Sequence, residues 1–332
     1  MNTAMLDDVS LIALLVAMGL YAAAFIAFAL DLARRSALVA DAATARQPSA
    51  VGATAARRGG TATLEREPAS SGPDAPVAAG RSISLNVAMV LLVVGFVVHA
   101  VATVLRGLAA SRVPWANMYE FAMTGTLLIL SVYLIVLTRR DLRFLGTFVT
   151  GLILILLGIA VVQYRVEVSP LPPSLQSYWL VIHVFVAALG TGFFALAFAL
   201  SGVQLLQFRR ESLAADAQAV KMRFLATLPD SVTLESMAYR LNIVGFIFWT
   251  FTLMAGAIWA ERAWGRYWGW DTKEVWTFII WVLYAGYIHA RATRGWRGSR
   301  SAWLAIIGFS AVMFNFGVVN VFFKGLHTYS GL

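Results

Sequence analysis

Runs of about twenty residues without a charged side chain recur along the whole chain. Apolar side chains make up 60% of its 332 residues and charged ones only 13%, which is far from the composition of soluble domains. Because a helix that crosses a membrane needs roughly 20 such residues, each run predicts one span. The sequence therefore predicts an all-α fold, a polytopic membrane helical bundle with about eight transmembrane helices, and excludes a water-soluble protein. The runs cover residues 9–30, 82–105, 121–138, 144–164, 178–208, 241–260, 275–290 and 301–323.

Positive charge is distributed unevenly between the loops that join these spans. The chain has a net charge of +9, and four loops hold 19 of its 26 lysines and arginines: 31–81, 139–143, 208–240 and 291–300. Because such loops stay on the cytoplasmic side of a membrane, this bias predicts that both termini lie outside. A nucleic-acid partner is the alternative explanation of a basic chain. Nothing in the sequence forms a soluble basic face, so we predict no such partner.

Three regions follow from this pattern. Residues 1–31 form an N-terminal transmembrane helix, in which acidic residues precede the apolar run and arginines follow it, so we expect an anchor and not a cleaved signal peptide. Residues 32–81 are rich in Ala, Arg, Gly, Ser, Thr and Pro without apolar periodicity, and we predict a disordered basic cytoplasmic linker. Residues 82–332 then form a seven-helix domain that includes the aromatic loop 261–276.

That loop carries the densest group of aromatic side chains in the chain. Its second part reads WGRYWGWDTKEVW, and two outer loops, VPWANMYE and VSPLPPSLQSYW, lie on the same predicted face. An aromatic belt at the membrane surface is the simpler explanation, but a belt does not interleave its rings with glycines and a charged run. The glycines allow close turns, so that several rings can line one flat surface for a large planar ligand. The candidate residues are Trp264, Tyr267, Trp268, Trp270 and Trp276.

The four histidines divide by predicted depth. His183 lies about one turn into its span from the outer end, and His327 follows the last span on the same face. Histidine is a common ligand of haem iron, so these two residues, beside a flat aromatic loop, predict a haem held from both sides. His289 lies at the cytoplasmic end of its span. For His99 the sequence leaves a structural role and a ligand role open.

Charged residues around the loop suit the carboxylates of haem. Arg266 and Lys273 lie within the loop, and outer basic residues run against the usual charge bias, although contact with lipid headgroups is an alternative explanation. The same argument covers Arg262, Arg112 and Lys324. Asp271 and Glu274 are weak candidates for catalysis, since hydrogen bonds that hold the loop, including bonds to indole N–H groups, explain them equally well. The chain has no cysteine, so any thiol exchange belongs to another protein.

The string WGRYWGWDTKEVW resembles the tryptophan-rich WWD signature of haem-handling proteins in cytochrome c maturation. More narrowly, it is similar to the CcsA family, also called ResC and, in some bacteria, CcsB. VPWANMYE resembles the first outer loop of that family, and GVVNVFFKGLHTYSG resembles its C-terminal segment. The resemblance extends over nearly all of the chain from residue 82 onward.

The resemblance implies the haem-delivering subunit of a system II cytochrome c synthase, or haem lyase complex. Haem, as b-type iron protoporphyrin IX, is then expected to pass from the cytoplasmic side to the WWD loop for thioether attachment to the CxxCH motif of apocytochrome c. His183 and His327 match the two outer iron ligands. His289 matches a ligand within the membrane, and a ResB-like or CcsB-like partner subunit is expected to supply the second ligand there.

The resemblance also implies further partners and a location. We expect thiol-reducing proteins of system II to keep the client cysteines reduced. The location is the bacterial inner membrane, with the WWD loop and both termini on the outer face. Two alternatives remain: a haem transporter without ligase activity, and a component of the other bacterial maturation system.

Overall fold

The computed structural model describes residues 2–45, 82–215 and 223–327, and within these ranges all regular structure is helical. Nine α-helices follow in order: α1 Thr3–Ala45, α2 Ile83–Ala110, α3 Met118–Leu137, α4 Gly146–Gln163, α5 Tyr178–Ala215, α6 Ser231–Trp264, α7 Thr272–Arg294, α8 Ser299–Phe314 and α9 Asn320–Phe322. A π-helical turn, Asn315–Val319, joins α8 to α9, and short 3-10 turns occupy Arg143–Leu145, Pro173–Leu175 and Arg223–Thr227.

A helix forms at each of the eight positions where the sequence predicts a span. Among the described residues, seven helices are long and apolar enough to cross a membrane: α1 to α6, and α8 with its extension. The eighth, α7, is 23 residues long but is not among those seven. Its sequence mixes aromatic side chains with charged residues at both ends, which lowers its apolar character. The prediction of a polytopic membrane helical bundle is confirmed.

Side-chain caps define where several helices begin. Asn117 accepts a hydrogen bond from the backbone N–H of Glu120 at the start of α3, and Asp230 accepts one from Thr233 at the start of α6. Asp271 and Glu274 form a capping box at the start of α7. These residues satisfy backbone donors that the first helical turn leaves without partners.

The N-terminal helix is packed into the bundle. One face of α1 is fully buried at intervals of three and four residues, for example at Leu14, Ala17 and Tyr21, and it lies against α2 and α4. This helix continues to Ala45, beyond residue 32 where we expected the linker to begin. Most of the predicted linker, 46–81, lies outside the described residues.

The connections place the helix termini at two ends of the bundle. We call the loop 261–276 the WWD loop, after the signature that its sequence resembles. The end of the bundle that carries it is called the aromatic end, and the opposite one the basic end. At the basic end Glu235 of α6 accepts a hydrogen bond from the backbone N–H of Gly298 and pairs with Arg291 of α7.

A buried ion cluster lies at the aromatic end. The Arg106 side chain of α2 is fully buried, pairs with Glu120 of α3 at 3.0 Å and with Asp7 of α1 at 2.5 Å, and donates to the carbonyl of Val166. Arg112 pairs with the other oxygen of Glu120 at 2.6 Å. Three helices and one loop are thus held together around a single guanidinium group.

Candidate haem site at the aromatic end

The WWD loop is folded around one carboxylate. Helix α6 ends at Gly265, whose φ of +70° is a conformation that glycine adopts readily and that closes the helix. Beyond that point, Glu274 Oε2 accepts hydrogen bonds from the backbone N–H groups of Gly269 and Asp271, at 2.8 and 3.1 Å. Its other oxygen pairs with Arg266 at 3.3 Å. Glu274 therefore acts as the internal support of the loop.

Asp271 joins the loop to the C-terminal segment of the described chain. One of its oxygens accepts the backbone N–H of Leu326 at 3.0 Å, and the other accepts a hydrogen bond from Nδ1 of His327 at 2.7 Å. The bond from His327 is the largest of the effects that lower the pKa of the Asp271 carboxyl to about 2. Asp271 is thus an anion at neutral pH, and it fixes the orientation of His327.

His183 is held in a comparable way by a backbone carbonyl. Its Nδ1 donates to the carbonyl oxygen of Thr252 on α6 at 3.0 Å, which leaves Nε2 without a proton in the neutral ring. The imidazole lies against Gly256, where a Cβ atom would stand only 2.7 Å from its Cε1. Any larger residue at position 256 would displace the ring.

Trp259 connects the two histidines. Its ring stacks on His183 with centroids 5.8 Å apart and an interplanar angle of 15°, and it meets His327 edge to face at 5.3 Å. Trp264 contacts both Trp259 and His327, at 4.8 and 4.9 Å. The structure therefore brings His183 and His327 together around one buried indole.

Both histidines line a cavity of about 200 Å³ at the aromatic end. Helices α3, α5, α6, α7 and α8 supply its walls, which are mostly apolar, and aromatic rings are frequent among them. The lining residues include Trp115, Phe121, His183, Thr252, Trp259, Tyr267, Trp268, Lys273, Glu274, Phe316, Asn320 and His327.

Lys273 places an amine in the wall of this cavity, where burial lowers its pKa from the usual value to about 7. Its Nζ donates to the carbonyl of Asn315 and to Oδ1 of Asn320, both at 2.7 Å, and the amide of Asn320 contacts Sδ of Met118 at 3.2 Å. An ammonium group has three protons, and these contacts use two of them. Lys273 also fixes the π-helical turn, because Asn315 is the first residue of that turn.

The five aromatic residues that the sequence predicts for the site have different surroundings from one another. Tyr267 and Trp268 line the cavity, whereas Trp264 packs beneath His327. Trp270 is 75% exposed, with a φ of +59° that is rare for a residue with a side chain, and Trp276 packs on Phe314 of α8 with centroids 4.5 Å apart. Of the five, only Tyr267 and Trp268 lie where a ligand of the cavity would meet them.

His99 and His289 lie away from this cavity. His99 is fully buried between α1 and α2, and its Nδ1 is 3.2 Å from the hydroxyl oxygen of Tyr21. His289 is exposed on α7 near the basic end. The imidazole of His289 is therefore accessible from outside the bundle.

The remaining outer cations also differ from one another. Arg112 is committed to Glu120, and Arg262 is mostly exposed and lies 3.6 Å from Glu261. Lys324 is exposed in the segment that leads to His327. Lys273 and Arg266 are therefore the two predicted cations that the structure builds into the site itself.

Sequence reasoning missed three contributors to the site: Trp259, Gly256 and Asn320. Trp259 and Gly256 belong to the apolar run of α6, where a tryptophan near a helix end has the pattern of an ordinary interface residue. The only signal was their spacing, since residues 252, 256 and 259 share one face of a helix.

Comparison with known proteins relates this chain to proteins of cytochrome c assembly. A family model described as cytochrome C assembly protein matches residues 115–327. The protein is 33% identical to the cytochrome c biogenesis protein CcsA of Heterosigma akashiwo, over 66% of this chain and 77% of that protein. For CcsA of Guillardia theta the identity is 35%, over 68% and 80%, and for CcsA of Prochlorococcus marinus it is 30%, over 75% and 86%.

A solved structure shares the fold. "Cytochrome c Heme Lyase CcmF" superposes with a TM-score of 0.59 at 15% identity, over 95% of this chain and 47% of CcmF. The present chain thus spans about half the length of that protein.

The fold and these matches define a multi-span helical membrane protein of cytochrome c maturation. The chain belongs to the cytochrome c assembly protein family, and within it to the CcsA group.

Proposed function

We propose that this protein is the haem-delivering subunit of a system II cytochrome c synthase and holds haem in the aromatic-end cavity between His183 and His327. One observation carries the proposal. The Nδ1 atoms of both imidazoles are engaged, by Thr252 and by Asp271, so that both Nε2 atoms are available to iron in the same cavity. We assign the cargo as b-type haem, iron protoporphyrin IX.

The walls of the cavity suit the rest of this ligand. Indole and phenyl rings match the flat face of a porphyrin, and the carboxylates of haem need cations nearby. The ammonium form of Lys273 has one proton uncommitted, and a propionate beside it would favour that form over the neutral amine. Arg266, which is about one-third exposed, already forms part of the loop. We assign these two residues to the propionates, with Tyr267 and Trp268 against the ring.

The chemistry proposed at this site needs positioning more than acid or base catalysis. Each thiol of the CxxCH motif adds across one vinyl group: sulfur bonds to one carbon and hydrogen goes to the other, so that no electron acceptor is consumed. Holding the reactants in place supplies a large share of the rate of such a step. Asp271 and Glu274 are occupied with His327 and the loop backbone, and we give them supporting roles.

The orientation and the partners follow from the same proposal. With the basic end in the cytoplasm, the cavity opens on the outer face of the bacterial inner membrane, where apocytochrome c is found. Because the chain has no cysteine, separate thiol-reducing proteins must prepare the client. We assign the exposed His289 to a second haem, for which a ResB-like partner subunit would supply the other ligand.

The absorption spectrum of the purified protein tests the proposal, with and without the ResB-like partner. We expect a bis-histidine haem spectrum in both preparations. The absence of haem from both preparations would contradict the proposal.

Coexpression with an apocytochrome in a host that lacks its own maturation genes separates a synthase from a transporter. Covalent haem in the product is expected for a synthase. A transporter without ligase activity would give bound haem and no thioether.

A further inference from the structure

The cavity that His183 and His327 line adjoins a second one. This side cavity has a volume of about 180 Å³ and lies between α3, α4 and the π-helical turn after α8. Five residues line both cavities, among them Met118, Met313 and Phe316. The two spaces therefore share a wall of flexible thioether side chains and one phenyl ring.

The side cavity reaches the surface that the bundle presents to lipid. Ile159 of α4 is 48% exposed and is one of its lining residues, and its neighbours Ile155 and Val162 are more exposed still. Tyr164, the residue that ends α4, lines it as well. The opening is thus close to the aromatic end, where the hydrocarbon of a membrane gives way to its polar surface.

The π-helical turn creates space at this opening. Gly317 lies within the turn and lines the side cavity but not the main one, and a Cβ atom built at Gly317 would meet no atom within 4 Å. Phe316, next to it, packs on Phe121 of the main cavity with centroids 5.2 Å apart. One of the side chains that separate the two spaces, that of Phe316, therefore stands on an irregular turn, and such turns are frequent at functional sites.

We propose that the main cavity is loaded from the side, out of the membrane hydrocarbon, through the opening between α4 and the π-helical turn. This inference rests on the proposed function, because it takes haem as the ligand. Haem suits the route: its macrocycle is apolar and passes between apolar walls, whereas its carboxylates lie along one edge and can remain at the polar surface, level with Lys273. If haem entered through the polar loops, its carboxylates would have to enter the cavity first.

A series of substitutions at Gly317 tests the route. The haem-free full-length protein is reconstituted in lipid vesicles that contain haem, and the bis-histidine absorption band is followed with time. Gly317→Ala, Gly317→Leu and Gly317→Phe should slow uptake progressively, with Phe slower than wild type by about tenfold or more. All three should reach the wild-type final spectrum, because Gly317 does not line the main cavity.

Gly19→Phe is the matched control. Gly19 lies in α1, also with open space around it, and at a distance from both cavities. We expect wild-type uptake from this variant.

Two outcomes would overturn the proposal in different ways. Equal rates across the Gly317 series, with haem bound normally, would remove the side route and leave the proposed function intact. No haem uptake by the wild-type protein would contradict the proposed function and the route together.

Discussion

Asp271 and His327 are 56 residues apart in the sequence, yet the carboxylate of Asp271 accepts a hydrogen bond of 2.7 Å from Nδ1 of His327. The same carboxylate begins α7 and binds the backbone of Leu326. A single side chain thus couples the WWD loop to the residue that we propose as an iron ligand. Carboxylates in this relation orient a ligating histidine and increase its basicity.

Asp271→Asn should raise the reduction potential of the bound haem. Asparagine caps a helix about as well as aspartate, so α7 keeps its start, but the imidazole of His327 loses its anionic partner and stabilises ferric iron less. Redox titration of the purified protein measures the potential. An unchanged potential would show that Asp271 serves only the fold. Asp141→Asn, at an exposed pair with Arg143, is the control.

Asp271→Ala removes the hydrogen-bond acceptor of His327 as well as the negative charge. We expect haem affinity to fall by about 10- to 100-fold, the usual cost of losing such a partner. Titration of the haem-free protein with haem measures it. Wild-type affinity would contradict the orienting role of Asp271.

His183→Ala and His327→Ala should each lose the outer haem and stop cytochrome c maturation. Each variant removes one of the two Nε2 ligands, and added imidazole should restore part of both readouts by filling the vacated coordination position. The haem spectrum and the yield of covalent cytochrome c are the measurements.

His99→Ala is the control for these two variants, because His99 is buried against Tyr21, away from the cavity. It should keep the haem spectrum and lose only stability. Normal maturation in both ligand variants would overturn the assignment of His183 and His327.

The contribution of Asp271 to stability should disappear in acid. Its pKa is lowered to about 2 in the folded protein, against about 3.9 in an unfolded chain. Because a lowered pKa stabilises the fold above the unfolded value, the contribution is complete above about pH 5 and is lost as the pH falls through about 2. Tryptophan fluorescence reports the unfolding temperature. The difference between wild type and Asp271→Asn should shrink across this range, and a constant difference would contradict the assignment.

Arg106→Leu should destabilise the protein strongly. It leaves Asp7 of α1 without its main partner and removes one of two cations from the buried Glu120, and such a loss costs about 3–5 kcal/mol. Arg143→Leu breaks an exposed pair and should cost about 1 kcal/mol or less. Denaturant unfolding in detergent compares the two variants. Similar costs would show that the ion cluster does not hold α1 in the bundle.

Much of the fold was accessible from the sequence because charge spacing and apolar runs are local signals. They predicted a helix at all eight positions and placed His183, His327 and the WWD loop at one end of the bundle. The apolar character of α7 was overestimated, since an uncharged run that contains several tryptophans and tyrosines is less apolar than its length indicates.

The internal arrangement of the site was not accessible in the same way. Trp259 lies between the histidines only because α5 and α6 pack closely at Gly256, which is a tertiary contact. The role of Asp271 depends on a chain segment 56 residues away, and the position of Lys273 depends on an irregular turn. Periodicity in a single sequence carries no information about such contacts.

The π-helical turn Asn315–Val319 has a consequence for how this chain tolerates changes of length. A π-turn accommodates one more residue than an α-helical turn and takes it up locally, whereas deleting one residue from α9, just beyond this turn, would rotate everything downstream by about 100°. His327 would then leave Asp271 and Trp259 although no side chain of the site had been replaced. Asn315 accepts a hydrogen bond from Lys273, and twelve residues further on His327 binds Asp271. Between these two positions the number of residues is therefore constrained as strongly as their identity.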